Sequence, residues 1–230
     1  MSIADKLLII AENMQKVYES GQKSSGGFNY DEVYFNGYAD GQASVPNNFE
    51  HAKTLASVFD GAVFPDNYEM TLIIPQVKSL RYAFRNTVGL KKVILKGENS
   101  NIVNFGYTFQ SNVEEVDLTE FTAKPDDLTY AFSNTTLKKI VGDLDFSEVT
   151  NTGNAFRNCS SLEEVRIKAN TIKLSVQFGY SPNLSAQSVQ SIVDGLATVE
   201  TAQTLTLHSA VAISDTQKAT IQSKGWTLVQ

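Results

Sequence analysis

Apolar residues recur along the middle of this chain at a fixed phase. Phe59, Phe84, Phe109, Phe132, Phe156 and Phe178 are spaced by 25, 25, 23, 24 and 22 residues. The text around the middle four is similar each time. It reads Tyr82-Ala83-Phe84-Arg85-Asn86, Tyr107-Thr108-Phe109-Gln110-Ser111, Tyr130-Ala131-Phe132-Ser133-Asn134 and Asn154-Ala155-Phe156-Arg157-Asn158. A short apolar or alternating segment follows each of them: Val93-Ile94-Leu95, Val116-Asp117-Leu118, Ile140-Val141 and Val165-Arg166-Ile167. Apolar residues at alternate positions suit a strand with one face on a core. A period of this length predicts a solenoid, in which each repeat is one coil stacked on the last. The strands would then be parallel and form one sheet, begun by Met70-Thr71-Leu72-Ile73-Ile74. The phenylalanines, each of the four preceded by a small residue, fit a buried stack of rings. The Asn two places after the ring, in three of the four units, suits a buried amide that bonds backbone groups left unpaired by a tight turn.

The polar pattern keeps the same beat. Doublets of like charge occur in Leu90-Lys91-Lys92-Val93, Val113-Glu114-Glu115-Val116, Leu137-Lys138-Lys139-Ile140 and Leu162-Glu163-Glu164-Val165, and their sign alternates. Stacked coils bring equivalent residues to about 4.8 Å, the spacing of neighbouring strands. Identical doublets would repel at that distance, whereas opposite signs attract. Each exposed pair is worth only ~0–1 kcal/mol, so the alternation serves register more than stability.

The two ends differ from the middle. Ile3, Leu7, Ile10, Met14 and Val17 alternate at spacings of four and three, the a and d positions of a heptad. Ser2 is placed to cap this helix and Gly21 to end it. It either forms a short parallel coiled coil of two or three chains or folds back on its own domain. Ser24-Ser25-Gly26-Gly27 reads as a joint. Beyond it Tyr30, Tyr34 and Tyr38 recur every fourth residue, as a second, poor helix or an irregular arm. At the other end, Asn183-Leu184-Ser185 precedes a helical pattern with Val189, Ile192, Val193 and Leu196 on one face. A strand at Thr204–Leu207, a helix opened by Ser214-Asp215 and ended by Gly225, and a last strand at Trp226-Thr227-Leu228 complete the chain. The sequence therefore divides into an oligomerisation helix at 1–24, a linker or arm at 25–50, the solenoid at 51–182 and capping helix–strand units at 183–230. The expected fold class is an α/β-type repeat solenoid with a parallel sheet, an N-terminal coiled-coil helix and a C-terminal helix–strand cap.

These residues resemble a known family. The segment Ala155-Phe156-Arg157-Asn158-Cys159-Ser160-Ser161-Leu162-Glu163-Glu164-Val165-Arg166-Ile167 is similar, position for position, to the unit of the BspA-type leucine-rich repeats of bacterial surface proteins. The other units lack the Cys. The resemblance covers about residues 55 to 180 and implies a leucine-rich-repeat-like sheet that serves as a recognition scaffold. The opening Ser2-Ile3-Ala4-Asp5-Lys6-Leu7 with Lys16-Val17-Tyr18-Glu19-Ser20-Gly21, and the ending Lys218 to Leu228, look like those of phage and prophage tail-associated proteins of Gram-positive bacteria. That likeness implies a virion structural protein, a short fibre or receptor-binding tip, with other tail or baseplate proteins as partners. The alternative is a bacterial cell-surface adhesin or host-interaction protein, which needs an export route; no secretory signal is legible at the N-terminus.

Composition narrows the function classes. The 230 residues carry a formal charge of −6, which argues against a nucleic-acid partner. No stretch approaches the roughly 20 apolar residues of a membrane span. The one cysteine, Cys159, reads as a buried small residue. The two histidines, His51 and His208, lie far apart without ligand spacing, and neither a metal nor another cofactor is expected. Asp126-Asp127 and Asp143 with Asp145 are the carboxylate pairs a glycosidase would need, but acidic residues beside turns more commonly cap or solvate strand ends. No enzyme activity is expected. Tyr82, Tyr107 and Tyr130, two places before the ring in successive repeats, are either partly buried stacking or an aromatic stripe for a cell-surface glycan or protein receptor. Arg85 and Arg157, one place after the ring, would point to solvent and rim that stripe.

Overall fold

The computed structural model describes residue 49 and residues 52–230 other than 100 and 135. The heptad of Ile3, Leu7, Ile10, Met14 and Val17, the tyrosines at 30, 34 and 38, and His51 lie outside the described residues. Among the described residues the chain is an α/β fold of ten strands and two helices, and every strand pairing is parallel.

Alternation of buried and exposed residues makes the main sheet. It comprises β1 (Val63–Ile73), β2 (Val88–Gly97), β4 (Glu115–Phe121), β6 (Lys139–Leu144) and β7 (Glu164–Ile167), ordered β1-β2-β4-β6-β7. Each strand beds its apolar positions in the core, as with Val93 and Leu95, Val116 and Leu118, Ile140 and Leu144, Val165 and Ile167. The register pairs Met70 with Val93, Val93 with Val116, Val116 with Ile140 and Ile140 with Val165. All five expected strands are present; β1 begins seven residues before Met70. Gly142 (φ +89°) sits so close to β4 that a Cβ there would lie 2.7 Å from the Leu118 carbonyl carbon and the Thr119 nitrogen, so only glycine fits this irregularity of β6.

A two-stranded sheet of β3 (Ile102–Asn104) and β5 (Lys124–Asp127) lies between these segments, and sequence reading did not foresee it. The bridges Ser79 to Asn104 and Asp127 to Asn151 extend its ladder on either side. The third sheet holds β8 (Val176–Phe178), β9 (Gln203–Leu207) and β10 (Trp226–Val229) in the order β10-β9-β8.

The rings stack as their spacing predicts. Successive centroids from Phe59 through Phe84, Phe109, Phe132 and Phe156 to Phe178 are 5.3, 5.5, 5.5, 5.5 and 4.3 Å apart, with planes within 23° of each other. All six are fully buried. The asparagines after the rings need a correction. Asn134 is buried, donating to the Val113 carbonyl (2.8 Å) and accepting from the Thr136 amide (2.7 Å). Asn86 and Asn158 are exposed instead, and hold φ of +56° and +61°. Their value is tolerance of the left-handed backbone, where Asn is several-fold enriched.

The charge doublets align through their second members. Glu69, Lys92, Glu115, Lys139 and Glu164 follow one another across β1, β2, β4, β6 and β7 in strict register and alternating sign. Ion pairs link Lys92 to Glu115 (2.6 Å), Lys138 to Glu114 (2.8 Å) and Lys139 to Glu164 (2.6 Å). The Lys138 ammonium holds the Glu114 carboxyl below its ordinary value. Burial pushes Asp117 and Asp145 upward, but bonds from Thr119 and the Lys92 charge for the one, and from Lys168 and Ser147 for the other, leave both lowered. Lys92, Lys138, Lys139 and Lys168 are raised, each chiefly by its hydrogen bond to a carboxylate.

A carboxyl with a lowered folded pKa stabilises the fold above its unfolded value, and that contribution is lost as pH falls through the folded one. A lysine with a raised folded pKa stabilises below its unfolded value, and the contribution is lost as pH rises through the folded one. The thermal midpoint, followed by circular dichroism, should therefore hold steady from about pH 5 to 9. It should fall below about pH 4, where unfolded carboxylates gain protons first.

The C-terminal elements close the sheet as read from the sequence. Helix α1 (Ala186–Gly195) starts at Ser185, whose hydroxyl accepts from the Ser188 amide (3.2 Å). Helix α2 (Asp215–Ser223) starts with a reciprocal capping box of Ser214 and Gln217. Helix α1 packs on the outer edge of β7, which has no further strand to pair with. Serine hydroxyls take the place of that strand. Ser188 Oγ accepts from the Val165 amide (3.0 Å) and donates to the Glu163 carbonyl (2.9 Å), and Ser191 Oγ accepts from the Ile167 amide (2.8 Å). The Lys224 ammonium donates to the carbonyls of Leu196 (2.6 Å), Asp194 (3.2 Å) and Val193 (3.3 Å) at the far end of α1. Cations are favoured at a helix C-terminus. Among the described residues no helix is long and apolar enough to cross a membrane.

A tyrosine ladder as the candidate functional site

The tight turns that carry the rings are built from side-chain acceptors one sequence period apart. Thr54 and Ser79 Oγ, Asn104, Asp127 and Asn151 Oδ1 each accept the amide two residues on, from Ala56 (3.1 Å), Arg81 (3.3 Å), Gly106 (2.9 Å), Thr129 (2.9 Å) and Gly153 (2.9 Å). These Ser/Thr and Asx turns bend the chain at the end of the small sheet. The next residue but two from each acceptor is Ser57, Tyr82, Tyr107, Tyr130 or Asn154. All five lie in the left-handed region, at φ of +60°, +60°, +59°, +51° and +57°. The amides of the first four donate to carbonyls of Arg81, Gly106, Thr129 and Gly153 at 2.8–3.0 Å, which holds the turns together. Two residues later each Phe from 59 to 132 repeats the bond to the next segment and buries its ring.

Three tyrosines thus occupy a conformation that costs an L-residue with a Cβ about 1–2 kcal/mol. Ser57 and Asn154 at the two ends are types that tolerate it better than a ring does. The tyrosine side chains are half-buried and in ring contact, Tyr82 tilted by 34° against Tyr107 at 4.9 Å and Tyr107 stacked on Tyr130 at 5.1 Å between centroids. The reading of partly buried stacking is therefore met: the rings cover each other and remain half-exposed.

Arginines close both ends of the ladder. Arg85 lies over Tyr82 with its Cζ 4.4 Å from the centroid, and Arg157 lies 6.0 Å from that of Tyr130. Arg157 also donates through Nη1 to the Tyr130 hydroxyl (3.1 Å). The structure brings Tyr82, Tyr107, Tyr130, Arg85 and Arg157 together. Arg85 departs from expectation: it is paired with Asp60, its Nε lying 3.0 Å from Oδ1, instead of reaching freely into solvent. Asp60 and Arg85 occupy the place after the ring in adjoining segments, so opposite charges meet there. The Asp60 bond keeps the Arg85 guanidinium above its ordinary value. Arg157 is exposed, as expected.

Arg81 belongs to the site and escaped sequence reading. Its Nη2 donates to the Tyr82 hydroxyl (3.1 Å), and its Cζ lies 4.9 Å from the Tyr82 centroid and 5.7 Å from that of Tyr107. Gly106, Thr129 and Gly153 hold the matching places in later segments, so no period marks Arg81. Its position beside Tyr82 was the available signal.

Most of the other reactive groups are occupied structurally, although Asp126 Oδ1 is buried without a hydrogen-bond partner among the described residues. Cys159 is buried with Sγ 3.0 Å from the Phe132 carbonyl, and burial pushes its thiol up to about 12. His208 Nδ1 accepts from the Ala210 amide (3.0 Å). Asp143 pairs with Arg166 (3.0 Å), Asp145 with Lys168 (2.8 Å), and Asp127 forms a turn. Among the described residues no group of three or more His, Cys, Asp or Glu is placed to hold a metal ion. Comparisons with protein-family models, with curated proteins and with solved structures each found nothing that matches this chain.

Proposed function

We propose that this chain is a tail-associated structural protein of a phage or prophage, acting by recognition without catalytic turnover. In this reading residues 51–182 are a leucine-rich-repeat-like solenoid, and its turns display the Tyr82–Tyr107–Tyr130 ladder to a receptor on the host cell surface. Residues Ile3, Leu7, Ile10, Met14 and Val17 join two or three copies, and the copies raise avidity for a repetitive ligand. The likeness of both chain ends to tail-associated proteins supports the setting. Bonds and ring contacts between residues one period apart support the stacked architecture. The placement of three successive tyrosines in left-handed backbone supports the site, because such strain is tolerated where function or surrounding structure demands it.

Tyr107→Asn separates those two demands. Asn tolerates positive φ, so relief of backbone strain offsets part of the lost stacking, worth about 0.5–1.5 kcal/mol per pair. The full-length variant is expected to keep its thermal midpoint within a few degrees and to lose about tenfold in binding to Gram-positive cell-wall preparations, on the scale of one anchor residue. A variant that unfolds readily while binding cell walls as well as the parent would reduce the ladder to a structural element.

A further inference from the structure

We propose that the ladder's ligand is a polyanionic glycan, held by Arg81 and Arg157 with the tyrosine hydroxyls between them; this assignment rests on the recognition reading above. Geometry leaves little room for the commonest aromatic mode for sugars. Stacking on a pyranose needs an open ring face, but the tyrosine faces are turned to one another at 4.9 and 5.1 Å, with Arg81 and Arg85 over Tyr82. What remains outward is a row of phenol edges. The Tyr82 and Tyr130 hydroxyls each accept from a guanidinium, which leaves their own protons free to donate.

Charge is distributed in the same sense. Three of the chain's four arginines meet this ladder, while no described lysine lies over its rings. Arg85 is neutralised by Asp60. Arg81 and Arg157 make no ion pair with any described residue, although Asp127 is near enough to Arg81 to act on it through space. On the strand face, by contrast, Lys92, Lys138 and Lys139 are all paired. A protein of net charge −6 therefore leaves two unpaired guanidinium forks at one place, the group best suited to carboxylate, sulfate or phosphate oxygens. The exposed large apolar residues among those described, Val63, Val88, Ile102, Tyr180 and Val229, are all outside the ladder's turns. A peptide would want apolar anchors there; a hydroxyl-rich, charged polymer needs donors, which the ladder supplies.

The test measures binding of the full-length protein to dextran sulfate, neutral dextran and poly-glutamate of similar length. Two double variants accompany it. Arg81→Gln with Arg157→Gln removes the unpaired guanidiniums, and Lys138→Gln with Lys139→Gln removes the same charge from paired positions. Dextran sulfate should bind best. The arginine pair should weaken it by about 10–100-fold and flatten its salt dependence, and the lysine pair by less than about threefold. Equal binding of neutral dextran, tighter binding of poly-glutamate, or equal losses from both double variants would overturn the assignment. Cell-wall binding separates this from the broader reading. If Tyr107→Asn abolishes it and the arginine pair does not, the ladder is a recognition site for an uncharged ligand. If neither variant changes it, the recognition reading itself fails.

Discussion

Phe109→Ala is expected to lower the unfolding free energy by about 3–5 kcal/mol. Its ring is fully buried, stacked 5.5 Å from both Phe84 and Phe132, and edge-on to Phe105 at 6.4 Å. Truncation removes the transfer free energy of the ring and leaves a cavity in the middle of the stack. The cavity has little means of closing, because its neighbours are fixed by backbone bonds from Phe84 to Thr108 and from Phe109 to Ala131. A domain of this kind is stable by only about 5–15 kcal/mol in total. Urea unfolding followed by circular dichroism should show the midpoint falling by a third or more. A loss below about 1 kcal/mol would mean that each segment holds its own core and that the ring column does not couple them.

That column was legible because a large ring at a constant phase has one cheap place to go. The strands were legible for a related reason: Val93 and Leu95, or Val165 and Ile167, alternate with residues that face water. Capping could be read from Ser185 and Ser214, whose hydroxyls satisfy helix amides wherever a helix starts. The charge ladder was read through its doublets, yet its first rung, Glu69, has no charged neighbour to announce it.

Other features were hidden because the physics depends on an atom that several residue types share. Thr54, Ser79, Asn104, Asp127 and Asn151 do the same work with four different side-chain types, since each contributes only an acceptor oxygen. A search by identity does not see that period. The left-handed turns were hidden for the opposite reason. Tyr is a poor predictor of positive φ, so Tyr82, Tyr107 and Tyr130 gave no conformational signal. Asn86 and Asn158 were expected to be buried amides because they share the phase of Asn134; they hold positive φ, which Asn134 does not, and lie outside. Within the candidate site, the periodic members were found and the aperiodic Arg81 was not.

The largest effect outside the ring column is expected at the last strand. A helix has no backbone donors or acceptors to offer a neighbouring strand, so the outer edge of β7 would leave buried amides without partners. Ser188 and Ser191 solve this with side chains, one turn apart on the inner face of α1. Ser188→Ala with Ser191→Ala orphans the Val165 and Ile167 amides, at about 1–3 kcal/mol for each group kept from water, while the Glu163 carbonyl keeps the Ser185 amide (2.9 Å). The double variant should lose about 2–5 kcal/mol. Alanine is the better helix former, so the substitution favours the isolated helix by a few tenths of a kcal/mol per site, and any loss must come from the strand edge. Hydrogen exchange makes the cause visible: Val165 and Ile167 should become the fastest-exchanging amides of β7, while those of β4 keep their protection relative to global unfolding. Unchanged stability with unchanged exchange at these two amides would show that α1 covers the sheet through apolar contact alone, with Val189, Ile192 and Val193 sufficient to hold it.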